Sequence, residues 1–324
     1  MVKAVRLPFN QPGVSGSEPQ VMSPLPKSER CRYERKKSDV RDTKCILQNR
    51  QPSIVNRKSA RHFPAISNPR CYHLLDMSGW YQKGFEILPL FLKRRIHPLK
   101  YEVEDFASRS AKGCPGLLVL DTGAGESGLR RHFSHCRYLA LDLASGDQAW
   151  DYSGLDVIGD LNVLPIAENK VDVILNFQVL EHVQSPGKVI EELYRVLKPG
   201  GRLRLTAPQG WHEHQQPRDF FRFTRFSLRM MMGKAGFGNI EITPMGGYFR
   251  FMGMWLSFIP KILFQTRSIP ARIILFPLEL LSLGLFCFLT PLCCYYLDRF
   301  DRKKEFTLCY KCSAVKPEMK AVNK

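Results

Sequence analysis

Short, mainly apolar runs recur through the middle of the chain. The five runs cover residues 117–120, 138–141, 156–161, 171–176 and 202–208. The first two run into Asp121 and Asp142. Unbroken apolar runs of this length are typical of strands that are buried on both faces of a sheet. Helical patterns lie between the runs, so the alternation predicts an α/β fold in which a parallel sheet carries helices on both faces.

The first run leads into a glycine-rich turn. Gly123 and Gly125 follow Asp121, and residues 129–133 after them have a helical pattern. Glycine adopts positive φ without strain, and its missing side chain lets a ligand approach the backbone. A strand, a glycine turn and a helix in this order are typical of the ligand-binding end of a parallel sheet. Asp142, at the end of the second run, is suited to a ribose, because one carboxylate accepts hydrogen bonds from both hydroxyls of a diol.

A long apolar insertion separates two further predicted strands, one ending near Thr243 and one covering residues 306–315. The apolar stretches of this insertion are residues 251–264 and 273–297, and the second, 25 residues long, is sufficient to cross a bilayer. A single crossing would leave the two strands on opposite sides of the membrane. The pattern therefore favours a re-entrant or interfacial helical hairpin, with a soluble dimerisation hairpin as the alternative.

The positive charge of the chain lies outside the predicted sheet. The net charge is +18, and residues 1–70 carry fifteen Lys and Arg against five Asp and Glu. Residues 116–200 carry seven against twelve. This distribution fits a basic tail and a membrane-facing flank better than an RNA-binding groove. The cationic residues around the insertion, which we expect at headgroups on the cytosolic side, are Arg267, Arg272, Arg299, Arg302, Lys303 and Lys304.

The N-terminal region divides into a tail and a helical segment. Residues 1–70 are rich in Pro, Ser, Arg and Lys, so we expect a disordered basic tail, with an organellar transit peptide as the alternative. Residues 71–115 contain two helical patterns, from Met77 to Arg95 and from Leu99 to Lys112. These helices are expected to cover the sheet.

The cysteines predict neither disulfides nor a metal centre. The ten cysteines form no regular framework and no secretory leader follows Met1, so we expect reduced thiols on the cytosolic side. Cys309 and Cys312 form a C-x-x-C, but residues three apart in a strand face opposite sides and no second pair exists. No metal ligands are therefore predicted.

Five separated motifs give the chain a family resemblance. In order they are LDTGAGESG, YLALD, GDLNVLP, FQVLEHV and YRVLKPGGRLRLTAP, between residues 117 and 208. The segment 117–248 resembles the class I S-adenosylmethionine-dependent methyltransferases, in particular their small-molecule, type 11-like group. The resemblance implies a doubly wound, seven-stranded Rossmann-like sheet whose last two strands pair antiparallel. It also implies S-adenosylmethionine as the cofactor.

The resemblance also assigns the cofactor contacts. The methionine end would lie at Asp121, Gly123 and Gly125, the ribose at Asp142, the adenine at Asp160 and Leu161, and Asn176 would lie beside the methionyl group. Ser127 stands where the family usually has a third glycine, and Gly128 follows it. Methyltransferases that act on nucleic-acid bases often carry an Asn/Asp-Pro-Pro-aromatic element after the fourth strand. This chain has NFQV there, which disfavours a nucleic-acid substrate.

The loop after the fifth strand holds the candidate catalytic group. It resembles the H-x-x-P-x-D-F-x-R-[YF]-T element of the same group, with His214, Asp219 and Arg222 on the pattern. His214 would accept the proton of a substrate hydroxyl, because imidazole titrates near working pH. Alternatively, Asp219 and Arg222 pair to lock the loop and His214 only hydrogen-bonds to it. His182, after the fourth strand, is interpreted as a packed or hydrogen-bonded residue.

These features together predict a membrane-associated methyltransferase on the cytoplasmic side. It would methylate a hydroxyl of a lipid, a lipid-linked glycan or another amphipathic small molecule. The alternatives are a non-catalytic membrane scaffold with the same fold, and an RNA methyltransferase that uses the basic tail. The predicted segments are a tail at 1–70, covering helices at 71–115, a methyltransferase domain at 116–247, the insertion at 248–304 and the last strand at 305–317. No oligomeric state is predicted.

Overall fold

One seven-stranded sheet organises the part of the chain that this computed structural model describes, residues 85–146, 150–264 and 268–318. The strands are β1 Leu118–Thr122, β2 Arg137–Asp142, β3 Val157–Ile158, β4 Val171–Phe177, β5 Leu197–Pro208, β6 Gly238–Met245 and β7 Cys309–Val315. They lie in the order β3-β2-β1-β4-β5-β7-β6. β1 to β5 pair parallel, and β7 runs antiparallel to both neighbours. The predicted doubly wound Rossmann-like fold is confirmed.

Strand alternation builds a separate apolar layer on each face of the sheet. α1 Leu90–Ile96 packs against α2 Pro98–Ala111. The helices that cover the faces are α2, α3 Pro186–Val196 and α4 Arg225–Ala235. Leu120 of β1 belongs to the layer that contains Leu193 of α3, whereas its neighbour Val119 belongs to the layer that contains Ala107 of α2. Successive side chains of a strand point to opposite faces, so one short apolar run supplies both layers.

Two predicted strand boundaries are wrong. β3 has two residues instead of the six expected at 156–161. On either side of it, the carboxylate of Asp156 accepts the N–H of Ala140 in β2 and that of Asp160 accepts the N–H of Asn162 in the next turn, so side chains take the place of backbone acceptors there. β5 begins at Leu197, which pairs with Val171, rather than at residue 202. The helical segment predicted after the glycine turn is a 3-10 helix, Gly128–Phe133.

Helices α1 and α2 correspond to the predicted covering helices. The second pattern, expected from Leu99 to Lys112, is α2 with almost the same bounds. Of the first pattern only residues 85–95 are described, and Pro89 is the N-cap of α1. The predicted basic tail at 1–70 lies outside the described residues.

The insertion before β7 is helical and folds back on itself. It comprises α5 Tyr248–Leu256, α6 Ile259–Leu263, α7 Ile269–Leu283, a π-helical segment Gly284–Leu289 and α8 Thr290–Leu297. α8 packs against α5 and α1, and α7 contacts α6, so the two halves form a hairpin. A Cβ at Gly253 of α5 would lie 2.9 Å from the Cβ of Cys294, which shows how closely the two halves approach. The hairpin returns the chain to the sheet, where β6 and β7 pair. Arg267 lies outside the described residues.

Candidate active site

The glycine turn after β1 has the positive φ angles that its sequence predicts. Gly123 has φ +77° and Gly125 has φ +51°, and Ser127, in the place of the third glycine, also adopts a left-handed φ of 58°. The N–H of Gly123 donates to the carbonyl of Leu141 at 2.8 Å, which binds the turn to the end of β2. A Cβ on Gly123 would lie 2.4 Å from Cγ2 of Val179, so this position accepts only glycine.

Asp142 joins the end of β2 to the glycine turn. Its Oδ2 accepts the backbone N–H of Gly125 at 3.0 Å, and its Oδ1 accepts that of Ala144 at 2.8 Å. A carboxylate offers about four acceptor positions, so two of them are left for the hydroxyls of a diol. The indole of Trp150 lies beside Gly125, within 3.2 Å of where a Cβ would be. The residues of this corner therefore fit a ribose-containing ligand.

The carboxyl of Asp121 is turned into the protein rather than toward an open surface. It is 2% exposed and accepts a short hydrogen bond from the hydroxyl of Tyr138. Burial, assisted by the charge of nearby Asp142, raises the pKa of Asp121 to about 7, although the hydrogen bond from Tyr138 opposes the shift. The carboxyl of Asp121 is thus bound to Tyr138 of β2 inside the protein and is not exposed to a ligand at this position.

The three remaining predicted cofactor residues lie at the ends of β3 and β4. Oδ1 of Asp160 accepts the backbone N–H of Asn162 at 2.8 Å, which shapes the turn after β3. The side chain of Leu161 belongs to the apolar core. Asn176 is fully buried, and its Nδ2 donates to Oγ1 of Thr122 at 3.0 Å, which ties β4 to β1. The side chains of Leu161 and Asn176 are buried in the protein. They therefore hold the strands around the cleft in place.

A two-point ion pair holds the loop after β5. Nη1 and Nη2 of Arg222 each donate to a carboxylate oxygen of Asp219 at 2.7 Å. Arg222 also donates to the carbonyls of Trp211 and His212, while Asp219 accepts the backbone N–H of His214 at 2.9 Å. The pKa of Asp219 is lowered: burial opposes this, but the hydrogen bond from Arg222 and the other favourable contacts outweigh it. The geometry gives Asp219 and Arg222 the loop-locking role.

The imidazole of His214 is hydrogen-bonded within the loop through Nδ1. Its Nδ1 lies 3.1 Å from the carbonyl oxygen of His212, which can only accept, so Nδ1 carries the proton and Nε2 carries the lone pair. Burial lowers the pKa of His214, although nearby Asp219 opposes the shift. The ring is therefore neutral at pH 7 and can accept a proton at Nε2.

A cavity of about 790 Å³ opens beside His214. Its walls come from three parts of the chain: α1 and α2, the loops after β4 and β5, and the insertion. Met254, Phe258 and Pro291 of the insertion form an apolar wall, and Gln178 and His214 lie at the end nearest the sheet. The charged lining residues are Lys93, Arg95, Lys100, Arg250 and Lys261 against Glu86 and Glu104. The cavity is thus apolar with an excess of positive charge.

The sequence pattern indicated neither this cavity nor Glu181. Glu181 and His182 form a 3-10 turn directly after β4, and Nδ1 of His182 donates to the carbonyl of Arg218 at 2.6 Å. His182 is therefore hydrogen-bonded, as interpreted. The signal that could have drawn attention to Glu181 is its position after the end of a parallel strand, where such folds bind ligands.

Known proteins resemble the central part of this chain. A family profile described as a methyltransferase domain matches residues 120–205. A probable S-adenosylmethionine-dependent methyltransferase of Mycolicibacterium smegmatis is 35% identical over 121 residues, which cover 35% of this chain and 44% of that protein. A malonyl-[acyl-carrier protein] O-methyltransferase of Methylococcus capsulatus is 38% identical over 106 residues, covering 29% of this chain and 38% of that protein.

The crystal structure of the [4+2]-cyclase SpnF aligns with 67% of this chain and 81% of its own, at 17% identity and a TM-score of 0.45. The chain spans less than half the length of the two curated relatives named above.

Proposed function

Because the chain belongs to the class I S-adenosylmethionine-dependent methyltransferases, we propose that it methylates an oxygen atom of an anionic, amphipathic acceptor at a membrane surface. The observation that carries the proposal is the cavity beside His214. It combines an apolar wall from the insertion with five cationic and two acidic lining residues. Such a lining suits a molecule with a long apolar part and a negatively charged group.

The corner between β1 and β2 would hold the cofactor. S-adenosylmethionine, when bound, supplies an electrophilic methyl group on a positively charged sulfur. Asp142 would accept hydrogen bonds from the ribose hydroxyls, and the turn at Gly123 and Gly125 would let the methionine end approach the backbone. Asn176 holds β1 and β4 at the spacing that this cleft requires.

His214 is the group best placed to receive the proton of an acceptor hydroxyl. Its Nε2 has the lone pair, and the residue lines the cavity. With the cofactor bound, Nε2 would take the proton of the acceptor hydroxyl while its oxygen receives the methyl group and the sulfur becomes a neutral thioether. Asp219 accepts the backbone N–H of His214 and Arg222 donates to the carbonyl of His212, so the pair holds the loop around His214 in place. Positioning of the two reactants and exclusion of water supply most of the remaining acceleration.

Two observations support oxygen rather than a nucleic-acid base as the acceptor. Three of the curated relatives are named malonyl-[acyl-carrier protein] O-methyltransferases. Asn176 is followed by Phe177 and Gln178, in place of the paired prolines found in many base methyltransferases. The side-chain amide of Gln178 is hydrogen-bonded within the protein. Its Nε2 donates to Oγ1 of Thr206 and lies within hydrogen-bonding distance of Sγ of Cys309.

The insertion supports a membrane surface as the location. Among the described residues, the helix Ile273–Phe300 is long and apolar enough to cross a bilayer, and 17% of its most apolar window is buried in the protein. Ile274 and Leu281 are 76% and 67% exposed. Because β6 and β7 lie side by side, the hairpin would dip into one leaflet and return. The cavity shares residues with this hairpin, so an acceptor could enter it from the lipid.

The test is a transfer assay with a lipid acceptor pool. The full-length protein, with labelled S-adenosylmethionine and vesicles made from a total lipid and lipid-linked glycan extract, should yield a labelled product that is one methyl group heavier by mass spectrometry. Calorimetry should show cofactor binding in the absence of vesicles. Cofactor binding without any labelled product would overturn the proposed acceptor, and absence of both would indicate a non-catalytic scaffold.

A further inference from the structure

Three potential metal ligands converge where β4 meets the loop after β5. They are the carboxylate of Glu181 and the imidazoles of His182 and His214, and one ligand atom from each lies within 4.8 Å of the others. The rings of His182 and His214 meet edge to face with centroids 4.6 Å apart. Ligand atoms at zinc-like distances of about 2.1 Å from an ion are about 3.4 Å apart, so small side-chain rotations would close the site.

Both histidines are oriented in the way that metal-binding histidines usually are. Nδ1 of His182 lies 2.6 Å from the carbonyl oxygen of Arg218, and Nδ1 of His214 lies 3.1 Å from that of His212. A carbonyl accepts only, so each Nδ1 carries the proton and each Nε2 has the lone pair. A backbone carbonyl bound to the far nitrogen is the usual outer-shell partner of an imidazole that binds metal.

The ligand atoms of Glu181 and His182 lack partners among the described residues. Glu181 is 0% exposed, and neither of its carboxylate oxygens has a hydrogen-bond partner. The Nε2 of His182 is likewise buried without a partner, and it lies 3.9 Å from Oε1 of Glu181, which is too far for a hydrogen bond. Buried polar atoms without a partner destabilise a fold, so a group that binds these three atoms would stabilise it.

We propose that Glu181, His182 and His214 bind a divalent transition-metal ion at the inner end of the cavity. Two imidazoles and one carboxylate form a ligand set that suits zinc, iron and cobalt and leaves coordination positions open. Magnesium and calcium prefer oxygen ligands and would bind less well. The sequence alone predicted no metal ligands, because Glu181, His182 and His214 are brought together only in the folded structure.

The ion would act on the acceptor oxygen. His214 lines the cavity, so an ion held by it lies where the acceptor hydroxyl arrives. A divalent ion lowers the pKa of a hydroxyl beside it, and the released proton would pass to water in the cavity. His214 would then be a ligand rather than the proton acceptor. This role rests on the proposed function, whereas metal binding itself does not.

The experiment uses cobalt as a spectroscopic probe. The full-length protein, stripped with a chelator and kept in detergent, is titrated with Co²⁺, which has strong visible absorption in four- or five-coordinate sites and weak absorption in water. We expect one equivalent to bind with strong absorption, and zinc to displace it. The substitution Glu181→Gln keeps the shape of the side chain, and it should weaken cobalt binding at least tenfold.

The matched control is Glu213→Gln, which makes the same chemical change at an exposed position in the neighbouring loop. Its cobalt binding should equal that of the unmodified protein, and thermal unfolding of each variant verifies the fold. Cobalt that keeps its aqueous spectrum, or binds Glu181→Gln as well as the unmodified protein, would overturn the metal site. Intact cobalt binding without methyl transfer would overturn the proposed function and leave the metal site supported.

Discussion

The carboxylate of Asp142 accepts a hydrogen bond from the backbone N–H of Gly125 at 3.0 Å, so one side chain links the end of β2 to the turn after β1. The two residues are 17 apart in the sequence. Pairing of β1 with β2 brings them together, with Thr122 opposite Leu141. Asp142 therefore shapes the glycine turn and is also available to the cofactor.

Replacing Asp142 should weaken cofactor binding. In Asp142→Ala the ribose loses a charged acceptor, and hydrogen bonds to charged groups contribute about 1.5–3 kcal/mol. We expect the dissociation constant for S-adenosylmethionine to rise by about tenfold to a hundredfold, measured by calorimetry. The control is Glu168→Gln, at an exposed position outside the site. Equal affinities for the two variants would remove Asp142 from the cofactor site.

Gly123→Ala should destabilise the fold as well as the site. The backbone φ is +77°, and the new Cβ would lie 2.4 Å from Cγ2 of Val179. A left-handed backbone with a side chain costs about 1–2 kcal/mol, and the steric clash adds to this. Thermal unfolding should show a lower Tm than for Gly187→Ala, since Gly187 has open space around its Cβ position. If both variants unfold at the same temperature, the turn does not require glycine.

Lys100 should attract the anionic acceptor. It lines the cavity and has an exposed side chain. Charge reversal in Lys100→Glu should raise KM for the lipid acceptor several-fold and leave the affinity for S-adenosylmethionine unchanged, and the effect should shrink at high salt. Lys112→Glu reverses an equally exposed charge at the end of α2, away from the cavity lining. Identical KM values for the two variants would argue against an anionic acceptor.

The exposed face of α7 should bind lipid. Ile274→Glu combined with Leu281→Glu places two charges on a face whose side chains are 76% and 67% exposed. Flotation with anionic vesicles should show a strong loss of binding, because burying a charged side chain in the bilayer costs about 2.5–3.5 kcal/mol on insertion scales. Phe226→Glu on α4 is the matched control, since Phe226 is 77% exposed on a different face. Unchanged flotation of the double variant would contradict the membrane proposal.

His97 should make stability depend on pH. Burial lowers the pKa of His97 from 6.5 to about 4, with a smaller contribution from Lys100. Between these values the unfolded chain binds a proton that the folded protein excludes, so the free energy of unfolding should fall as the pH drops from 7 to 5. The contribution is on the order of 1–2 kcal/mol, allowing for partial exposure of the ring.

The measurement is urea unfolding at both pH values. His97→Gln removes the titrating group and should reduce the difference between pH 7 and pH 5, whereas His132→Gln, on the 3-10 helix after β1, should not. A difference that is the same in all three proteins would show that His97 does not titrate on unfolding.

Local patterns in the sequence determined the strands and the glycine turn. The run that ends at Asp121 is apolar at every position, and Gly123 and Gly125 follow at once, so the strand and its turn are specified within about ten residues. The resemblance to a known family then indicated Asp142 as the ribose acid. The ion pair of Asp219 with Arg222 could also be anticipated, because the two opposite charges lie three positions apart.

Only the tertiary structure decided what lies around His214. The cavity joins α1 and α2 to an insertion more than 130 residues later in the chain, and no local pattern predicts that packing. The proximity of Glu181 and His182 to His214 depends on the pairing of β4 with β5 and on the hydrogen bond from His182 to Arg218, which is 36 residues away. Sequence patterns report which face of an element is apolar, whereas contacts between distant elements are set by how whole faces pack. For that reason the corner between β1 and β2 could be predicted from the sequence, and the cavity beside His214 and the buried carboxylate of Glu181 could not.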